Sequence, residues 1–403
     1  MKKRKLIASA IIMMAAAHGS VHAQEPLSVK LGVLNDLSGI GAELGGKGSI
    51  VAARLAAEDF QKAHPDVKVE VIFADHQNKA DIGAATARRW YDQDGVDAIL
   101  DVQTSSVALA VNAVTREKNK VFIGSGPGTT DLTGKACTPN TVHWTYDTWA
   151  LANATGSALV KEGGKSWYFI TSDYSFGHSL EKDTAKVVTE GGGKVLGRVL
   201  HPFGTSDYSS YILQAQSSGA QIIGMATSSG DLVSLVKQSS EFGVAAGGQR
   251  LAALLMFISD VHALGLDSVQ GLTLSGPFYW DLNDGTRKWS QRFAEQSGGT
   301  MPTMVHAGVY AGAMHYLKAV AALKDKQNGA GVVEEMKKTP TDDPLFGQGE
   351  IRADGRKIHP MYLFQVKTPA ESTGPWDYYK LLATIPADEV FRPLADGGCP
   401  LVK

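Results

Sequence analysis

The alternation of short β-branched runs with longer amphipathic stretches is the feature that most restricts the fold of this chain. It begins at Leu27 and occurs twice along the sequence. Strands that alternate with helices are joined by crossover connections, so they pair in parallel and carry helices on both faces. The sequence therefore predicts an α/β fold built from doubly wound parallel sheets.

Each round of the alternation predicts one lobe. The first round places strands at 29–34, 67–73, 98–100 and 121–123, with helices at 50–60, 80–91 and 107–116. The second round places strands at 167–170, 194–200, 221–223 and 251–257, with helices at 180–188, 208–216 and 232–242. A chain of 403 residues also exceeds what a single core usually organises, which favours two similar lobes.

The chain is expected to cross between the lobes more than once. The breaker-rich Ser275-Gly276-Pro277 follows the second round and predicts such a crossover. A long helix at 303–323 and a strand at 361–366 come later. We predict that lobe 1 comprises 24–145 plus about 277–360, that lobe 2 comprises 146–276 plus about 361–380, and that 381–403 is a C-terminal tail packing back on lobe 1.

Residues 1–23 predict a cleavable signal peptide. The basic residues Lys2 to Lys5 precede an apolar core at 6–17, and Val21-His22-Ala23 supplies the small residues of a cleavage site. An apolar stretch of about 12 residues is too short for a membrane-spanning helix, which needs roughly 20. We expect a periplasmic protein with no direct insertion into the membrane.

The charge balance argues against nucleic acid as a partner. The formal charge of the chain is −2, and removing the four cationic residues at 2–5 moves it to −6. No basic stripe accompanies this acidic balance. Neither nucleic acid nor an anionic membrane surface is therefore an expected partner.

The chain has two cysteines, Cys137 and Cys399. In an exported protein a pair of cysteines is more often a disulfide than two free thiols, so we predict a bridge that attaches the C-terminal tail to the end of the first lobe. Neither cysteine has a Cys or His at ligand spacing, and the histidines form no ligand-spaced pair. We predict no metal site and no cofactor.

One sequence motif resembles a phosphate-binding loop. The segment from Gly41 to Lys47 fits G-x-x-x-x-G-K between a strand and a helix. The next residue is Gly48 instead of the Ser or Thr that binds Mg²⁺, and Glu43 would lie beside the phosphates. We interpret the segment as a flexible turn into the helix.

No catalytic residues are predicted. Ser125 lies in a Gly-rich segment without G-x-S-x-G spacing, and Pro127 disfavours a helix start there. An exported α/β hydrolase is the rival from another class, and it would need a positioned nucleophile and base. The ligand-binding module of a sensor is a second rival, and it would normally continue into a membrane helix.

Two turns of the first lobe carry hydroxyl groups after predicted strands. Gln103-Thr104-Ser105-Ser106 follows the strand that ends at Asp101, and the segment from Gly126 to Thr130 follows the strand that ends at Gly124. Ligands of open α/β sheets bind beyond the carboxyl ends of strands, where hydroxyls and helix N-termini suit a carboxylate. Helix capping is the alternative for either turn alone, and the two turns together favour a binding site.

Aromatic side chains are frequent in the second lobe and in the connections between the lobes. A ring that closes over a ligand buries much apolar area, so we expect a few of these rings to touch it. The candidates are Trp144, Tyr146, Trp149, Tyr174, Phe176, Phe257, Phe278, Tyr279 and Trp280.

Several segments occur in a characteristic order and spacing. They are Leu34 to Gly39, the helix start from Gly46 to Asp59, Asp75 with Ala80 onward, Thr104 to Ser106, Gly128 to Thr133, and Asp173 to Gly177. In this the chain resembles the periplasmic branched-chain amino acid-binding family, the type I solute-binding proteins of ABC importers, over nearly all of its length after the signal peptide. The resemblance implies two lobes on a multi-strand hinge that close over a ligand, with a membrane permease as partner.

The resemblance also implies roles for individual residues. Thr104 stands where the family places a hydroxyl on the ligand carboxylate, and Gly128 and Thr129 stand where backbone and hydroxyl contacts lie. Phe176 stands where an aromatic ring covers the ligand, and Thr227-Ser228 lies at a strand end facing the cleft. Together with the turns and rings above, the predicted ligand-binding residues are Gln103, Thr104, Ser105, Gly128, Thr129, Tyr146, Phe176, Thr227, Ser228, Phe257 and Tyr279.

One departure from the family bears on the ligand. Amino-acid binders use an acid of the second lobe for the ammonium group, whereas the comparable stretch here is Met256-Phe257-Ile258 and Asp260 is out of register. An unpaired ammonium in a closed cleft is costly. The run Phe278-Tyr279-Trp280-Asp281 resembles the subgroup that binds aromatic carboxylates. We expect a monomer that captures a small carboxylate, an aromatic one in particular, with a branched-chain or other amino acid as the alternative.

Overall fold

Two parallel sheets follow one another within residues 27–402, the part of the chain that this computed structural model describes. The predicted signal peptide at 1–23 lies outside the described residues. The first sheet contains β1 (Leu27–Asn35), β2 (Val67–Asp75), β3 (Ala98–Asp101), β4 (Val121–Gly124) and β5 (Thr141–His143), in the order β2-β1-β3-β4-β5. The second contains β6 (Ser166–Ser172), β7 (Lys194–His201), β8 (Ile222–Ala226) and β9 (Arg250–Ala253), in the order β7-β6-β8-β9. All neighbours in both sheets pair in parallel, which confirms the predicted α/β class.

Helices flank the two sheets, as the apolar periodicity predicts. Helices α1 (Gly46–Ala63), α2 (Ala80–Arg89) and α3 (Ser105–Glu117) alternate along the chain with the strands β1 to β4 of the first sheet. The second is preceded by α4 (Thr148–Leu151) and α5 (Ser157–Lys161) and followed or interleaved by α6 (Ser175–Glu190), α7 (Ser209–Ser217), α8 (Ser229–Glu241), α9 (Ile258–Leu264) and α10 (Leu266–Val269). In α1 the buried positions Ile50, Ala53, Ala57 and Phe60 recur every three or four residues, which gives the helix one apolar face.

The last third of the chain adds helices and two small antiparallel sheets that pack against the two parallel sheets. Its elements are β10 (Thr273–Gly276), α11 (Asp284–Gln296), α12 (Met304–Leu323), α13 (Gly329–Lys338), β11 (Thr341–Asp343), β12 (Gly347–Ile351), β13 (Lys357–Ile358), β14 (Met361–Val366), β15 (Tyr379–Ile385) and α14 (Ala387–Val390). Helix α12 packs on α1, β3 and β4, whereas the antiparallel sheet β10-β14-β15 contacts β9 and the helical turn Ala152–Gly156. Three short segments, at 144–147, 277–280 and 359–360, thus connect the two units.

We propose a division into two lobes at these three connections. Lobe 1 then holds the first sheet with α11 to α13, and lobe 2 holds the second sheet with β10, β14 and β15. Strand β15 runs across the position where we expected the C-terminal tail to begin, because its pairing with β14 continues to Ile385 opposite Met361. We therefore propose that the tail proper starts after Ile385, at the end of β15.

Two predicted elements differ from the structure at their carboxyl ends. The strand expected at 251–257 stops at Ala253, the last residue of β9 that pairs with β8, and the chain then turns into α9. The apolar run continues to Phe257 because these residues are buried in the loop, each at most 2% exposed. The helix expected at 80–91 is α-helical to Arg89 and continues as a π-helical turn, Trp90–Asp94.

The C-terminal tail is bonded to lobe 1. Cys137 and Cys399 form a disulfide with their Cα atoms 5.6 Å apart, which confirms the predicted bridge. The Arg392 guanidinium donates a hydrogen bond to the carbonyl oxygen of Thr130 at 3.1 Å, and Arg352 donates to the carbonyl oxygen of Arg392 at 2.8 Å. Between residues 27 and 402, no helix combines the length and apolar character needed to cross a membrane.

Candidate functional site

The carboxyl ends of the two parallel sheets face each other across the cleft between the lobes. The Thr129 hydroxyl, in the loop after β4, lies 3.0 Å from the Ser179 hydroxyl on α6. The backbone N–H of Gly230, in the first turn of α8, donates to the carbonyl oxygen of Ile40 in the β1–α1 loop at 3.3 Å. Loops of lobe 1 therefore touch helices of lobe 2, and the cleft is closed.

A hydrogen-bond network holds three loops of lobe 1 together. The Thr104 hydroxyl donates to Asn78 Oδ1 at 2.5 Å, and Asn78 Nδ2 donates to Asp36 Oδ2 at 2.5 Å. Gln103 Nε2 donates to the carbonyl oxygen of Gly41 at 2.7 Å, and the Gly41 N–H donates back to Asp36. Thr104 and Gln103 thus have protein partners. Asn78 and Asp36 belong to the cleft wall. Asp36 lies in the segment Leu34 to Gly39 that carries the family resemblance, whereas no sequence motif singles out Asn78.

Ser105 connects the two hydroxyl-bearing turns that the sequence places near the ligand. Its hydroxyl accepts a hydrogen bond from the Thr129 N–H at 3.2 Å. Gly128 lies against the second lobe: a Cβ atom there would stand 2.7 Å from the Phe176 ring and 3.4 Å from the Tyr146 ring. Ser105, Thr129, Gly128, Phe176 and Tyr146 are therefore brought together in the structure.

Aromatic rings form the opposite wall. The Tyr146 hydroxyl donates to the carbonyl oxygen of Gly126 at 2.6 Å, and its ring centroid is 6.1 Å from that of Phe257. Tyr174 packs 6.1 Å from Phe176, and its hydroxyl hydrogen-bonds the Ser228 side chain. Burial raises the pKa of Tyr146 well above its ordinary value, so its hydroxyl stays protonated.

Tyr279 lies in the hinge, away from the loops of lobe 1. Its hydroxyl donates to the carbonyl oxygen of Trp376 at 3.2 Å, and its ring packs on Phe364 and Tyr379. It lines, with Phe257, a cavity of about 20 Å³, which has room for one water. Thr227 is 1% exposed and directly follows β8.

Three helices begin at the cleft without a side-chain cap. The residues preceding their first turns are Thr104 for α3, Tyr174 for α6 and Ser228 for α8, and none of these side chains accepts a hydrogen bond from its helix. The first N–H groups of a helix have no partner within it, and the helix dipole adds partial positive charge there. The Gly230 N–H of α8 is already bonded to Ile40, so the remaining N–H groups at these three helix starts favour an anionic ligand group.

The acidic side chains nearest the cleft are already hydrogen-bonded. Asp260 Oδ2 accepts from the Phe257 N–H at 2.8 Å, and burial raises its pKa to about 7. Asp101 accepts from the Ser49 hydroxyl at 2.5 Å and from Asn35 Nδ2 at 2.6 Å, and burial raises its pKa to about 7 as well. Asp260 and Asp101 thus already accept hydrogen bonds from neighbouring groups of the protein.

Replacing Asp101 by Asn is expected to flatten the dependence of stability on pH between pH 5 and 8. Because the folded-state pKa is raised, the unfolded chain loses this proton first as the pH rises, so the free energy of unfolding falls from near pH 4 to near pH 7. We expect Asp101→Asn to reduce the decrease in the free energy of unfolding between pH 5 and pH 8 by at least about 1 kcal/mol, measured by urea denaturation at these two pH values.

The matched control for this titration is Asp207→Asn. Hydrogen bonds from Ser209 lower the pKa of Asp207, so it titrates below the measured range and its replacement should leave the pH 5–8 slope unchanged. An unchanged slope in Asp101→Asn would contradict the assignment of this titration to the cleft wall.

The fold and the closed cleft define a two-lobed receptor for a small solute. The family model described as "Periplasmic binding protein" matches residues 28–374, and the chain belongs to this family. Its members are non-enzymatic solute-binding components of ABC transporters, and so is this protein. Membership implies a periplasmic location and an ABC permease as partner, in agreement with the resemblance of the motifs.

Solved structures of relatives match over almost the whole chain. A periplasmic binding protein from Burkholderia mallei is 48% identical, with a TM-score of 0.90, and the match covers 93% of this chain and 99% of that one. A branched chain amino acid ABC transporter periplasmic ligand-binding protein from Burkholderia xenovorans is 36% identical, with a TM-score of 0.82 and coverage of 93% and 100%. A solute binding protein from R. palustris, in complex with benzoate, shares the fold at 19% identity, with a TM-score of 0.80 and coverage of 93% and 99%.

Proposed function

We propose that the protein captures a small carboxylate with an aromatic body and delivers it to its ABC permease. The observation that supports this most is the meeting of three uncapped helix starts in a cleft walled by aromatic rings. The carboxylate takes the free N–H groups, and the ring packs between Phe176, Tyr146 and Phe257. The benzoate complex of the R. palustris protein is consistent with such a ligand in this fold.

The acidic side chains near the cleft already accept hydrogen bonds, which disfavours a free amino acid as the ligand. An amino acid brings an ammonium group as well as a carboxylate, and an ammonium left unpaired in a closed cleft is costly. The buried Asp260 carboxylate accepts a hydrogen bond from the Phe257 N–H, and Asp36 accepts hydrogen bonds from Asn78 and Gly41. A branched-chain amino acid is the second candidate because the Burkholderia xenovorans relative is described as belonging to such a transporter.

A thermal-shift screen of the mature protein separates the two candidates. The probes are benzoate, 4-hydroxybenzoate, hexanoate, leucine and valine. A tight ligand stabilises the folded state by about 3–4 kcal/mol at 100 to 1,000 times its dissociation constant. We expect shifts with the benzoates and none with leucine or valine. A shift with leucine alone would contradict the proposal and would require one of the cleft acids to be released from its present partners.

A larger side chain at position 128 is expected to weaken benzoate binding. A Val side chain at Gly128 would enter the space of the Phe176 ring, because even its Cβ atom would stand 2.7 Å away. The lobes then cannot close fully on the ligand, and we expect Gly128→Val to raise the dissociation constant for benzoate about tenfold or more, by isothermal titration calorimetry.

The control for this change is Gly374→Ala, where a Cβ atom meets nothing within 4 Å. It should leave both the affinity and the unfolding temperature as they are. Wild-type affinity in a folded Gly128→Val protein would remove position 128 from the site.

A further inference from the structure

Two exposed phenylalanines occupy corresponding places on the two lobes. Strand β1 lies between β2 and β3 as β6 lies between β7 and β8, so β2 and β7 are equivalent edge strands. Phe73 is close to the carboxyl end of β2 and is 50% exposed, and Phe203 follows the carboxyl end of β7 by two residues and is 38% exposed. A single exposed ring is common on a protein surface, whereas a pair at equivalent positions of the two lobes indicates an interaction site.

Both rings lie at the mouth of the cleft. The connections between the lobes leave from the opposite edges of the sheets, where β5 runs into the segment 144–147 and β10 lies beside β9. On lobe 2, the Phe203 ring packs 5.0 Å from Tyr174, which in turn packs on Phe176 in the cleft. The edge strands β2 and β7 are therefore farthest from the hinge, where closure moves the lobes most.

On lobe 1, Phe73 forms one wall of an open groove of about 630 Å³. Ile50, Val51 and Phe293 give the groove an apolar floor, and the Arg54 guanidinium stands 6.0 Å from the Phe73 ring. Lys47 also lines it, and none of the ion pairs formed within residues 27–402 uses Lys47 or Arg54. Glu43 lines the groove as well but forms no ion pair with either cation. The groove thus combines apolar surface with two cations that lack a carboxylate partner.

The groove is connected to lobe closure through a loop. Leu37 and Ala42, which line the groove, flank Ile40, whose carbonyl oxygen accepts the hydrogen bond from Gly230 of lobe 2. A partner in the groove therefore contacts a loop whose position depends on the closed state. A partner can distinguish closed from open receptor only if it binds the two forms with different free energy, and contact with both lobes at once achieves this.

We propose that Phe73 with its groove and Phe203 are the two halves of the surface that docks on the membrane permease. Each ring inserts into an apolar recess of the permease, and the permease supplies carboxylates opposite Lys47 and Arg54. Only the closed receptor holds the two rings at the spacing that both recesses require. This assigns the recognition of the closed state to residues outside the ligand site.

Photocrosslinking in the bacterium that makes the protein tests this surface without knowledge of the ligand. p-Benzoylphenylalanine replaces Phe73, Phe203 or Phe242 in three separate strains, and the adducts are identified by mass spectrometry. Phe242 is the matched control, because it is 37% exposed but follows the end of α8 that lies away from the cleft. We expect a membrane-spanning permease subunit as the adduct from positions 73 and 203, and no such adduct from 242. An adduct with a second copy of this chain, or the absence of a permease adduct at 73 or 203, would overturn the proposal.

Transport measurements give a second readout. Phe73→Ser combined with Phe203→Ser should lower uptake of radiolabelled benzoate about tenfold or more and leave its dissociation constant for the purified protein unchanged. Unchanged uptake would overturn the docking surface. This arm rests on the proposed ligand: if the unaltered protein does not bind benzoate, the ligand proposal fails, and the crosslinking result then decides the docking surface.

Discussion

Replacing Arg356 by Ala is expected to lower the free energy of unfolding by about 3–5 kcal/mol. Arg356 is 1% exposed, donates hydrogen bonds to the carbonyl oxygens of His143 and Tyr146, and lies 3.4 Å from the carboxylate of Asp147. Burial lowers its pKa to about 10, so it remains charged at neutral pH. Its removal leaves a buried carboxylate without its cation and a cavity beneath Phe391, whose ring packs 4.5 Å from the guanidinium.

Urea denaturation at pH 7 measures this loss, and Arg250→Ala is the control. Arg250 pairs with Glu162 at 2.6 Å, but both side chains are about half exposed, so its replacement should cost less than about 1 kcal/mol. Equal losses in the two variants would contradict a special role for the buried pair. The pair matters for function because Asp147 caps α4 in the first connection between the lobes, next to Tyr146 of the cleft.

Removing the disulfide is expected to cost about 2–5 kcal/mol of stability. Cys137 and Cys399 are 262 residues apart in sequence, so the bridge closes a loop that contains all of lobe 2. Such a link restricts the unfolded chain and also holds the C-terminal tail on the loop that follows β4. We expect the variant Cys137→Ala with Cys399→Ala to unfold at lower urea concentration than the oxidised protein.

Dithiothreitol supplies the internal control for the disulfide. It should lower the unfolding midpoint of the natural protein toward that of the double variant and leave the variant itself unaffected. A midpoint that does not change on reduction would show that the hydrogen bonds of Arg392 and Arg352 hold the tail without the bridge.

The local pattern of the sequence was sufficient for the class of fold, and the presence of two cysteines in a chain expected to be exported was sufficient to predict the disulfide. Strands β1, β2, β6 and β7 were predicted close to their observed positions, because each carries its own apolar alternation and is bounded by turn residues. The short strands β5 and β11 to β13 escaped prediction, because they lack the continuous apolar run that marks the equally short β3, β4 and β8. The domain boundaries and the ligand-binding residues remain proposals.

Only the tertiary structure decided how the candidate site residues are used. The sequence marks Thr104 as a hydroxyl after a strand, but its donation to Asn78 depends on two loops meeting. The sequence leaves Asp260 near the cleft, whereas the early end of β9 turns its carboxylate to the Phe257 N–H. The physical reason is that periodicity records which face of an element is buried, a local property. Hydrogen-bond partners in a cleft are set by competition among groups that are far apart in the chain and become neighbours only when the lobes are assembled.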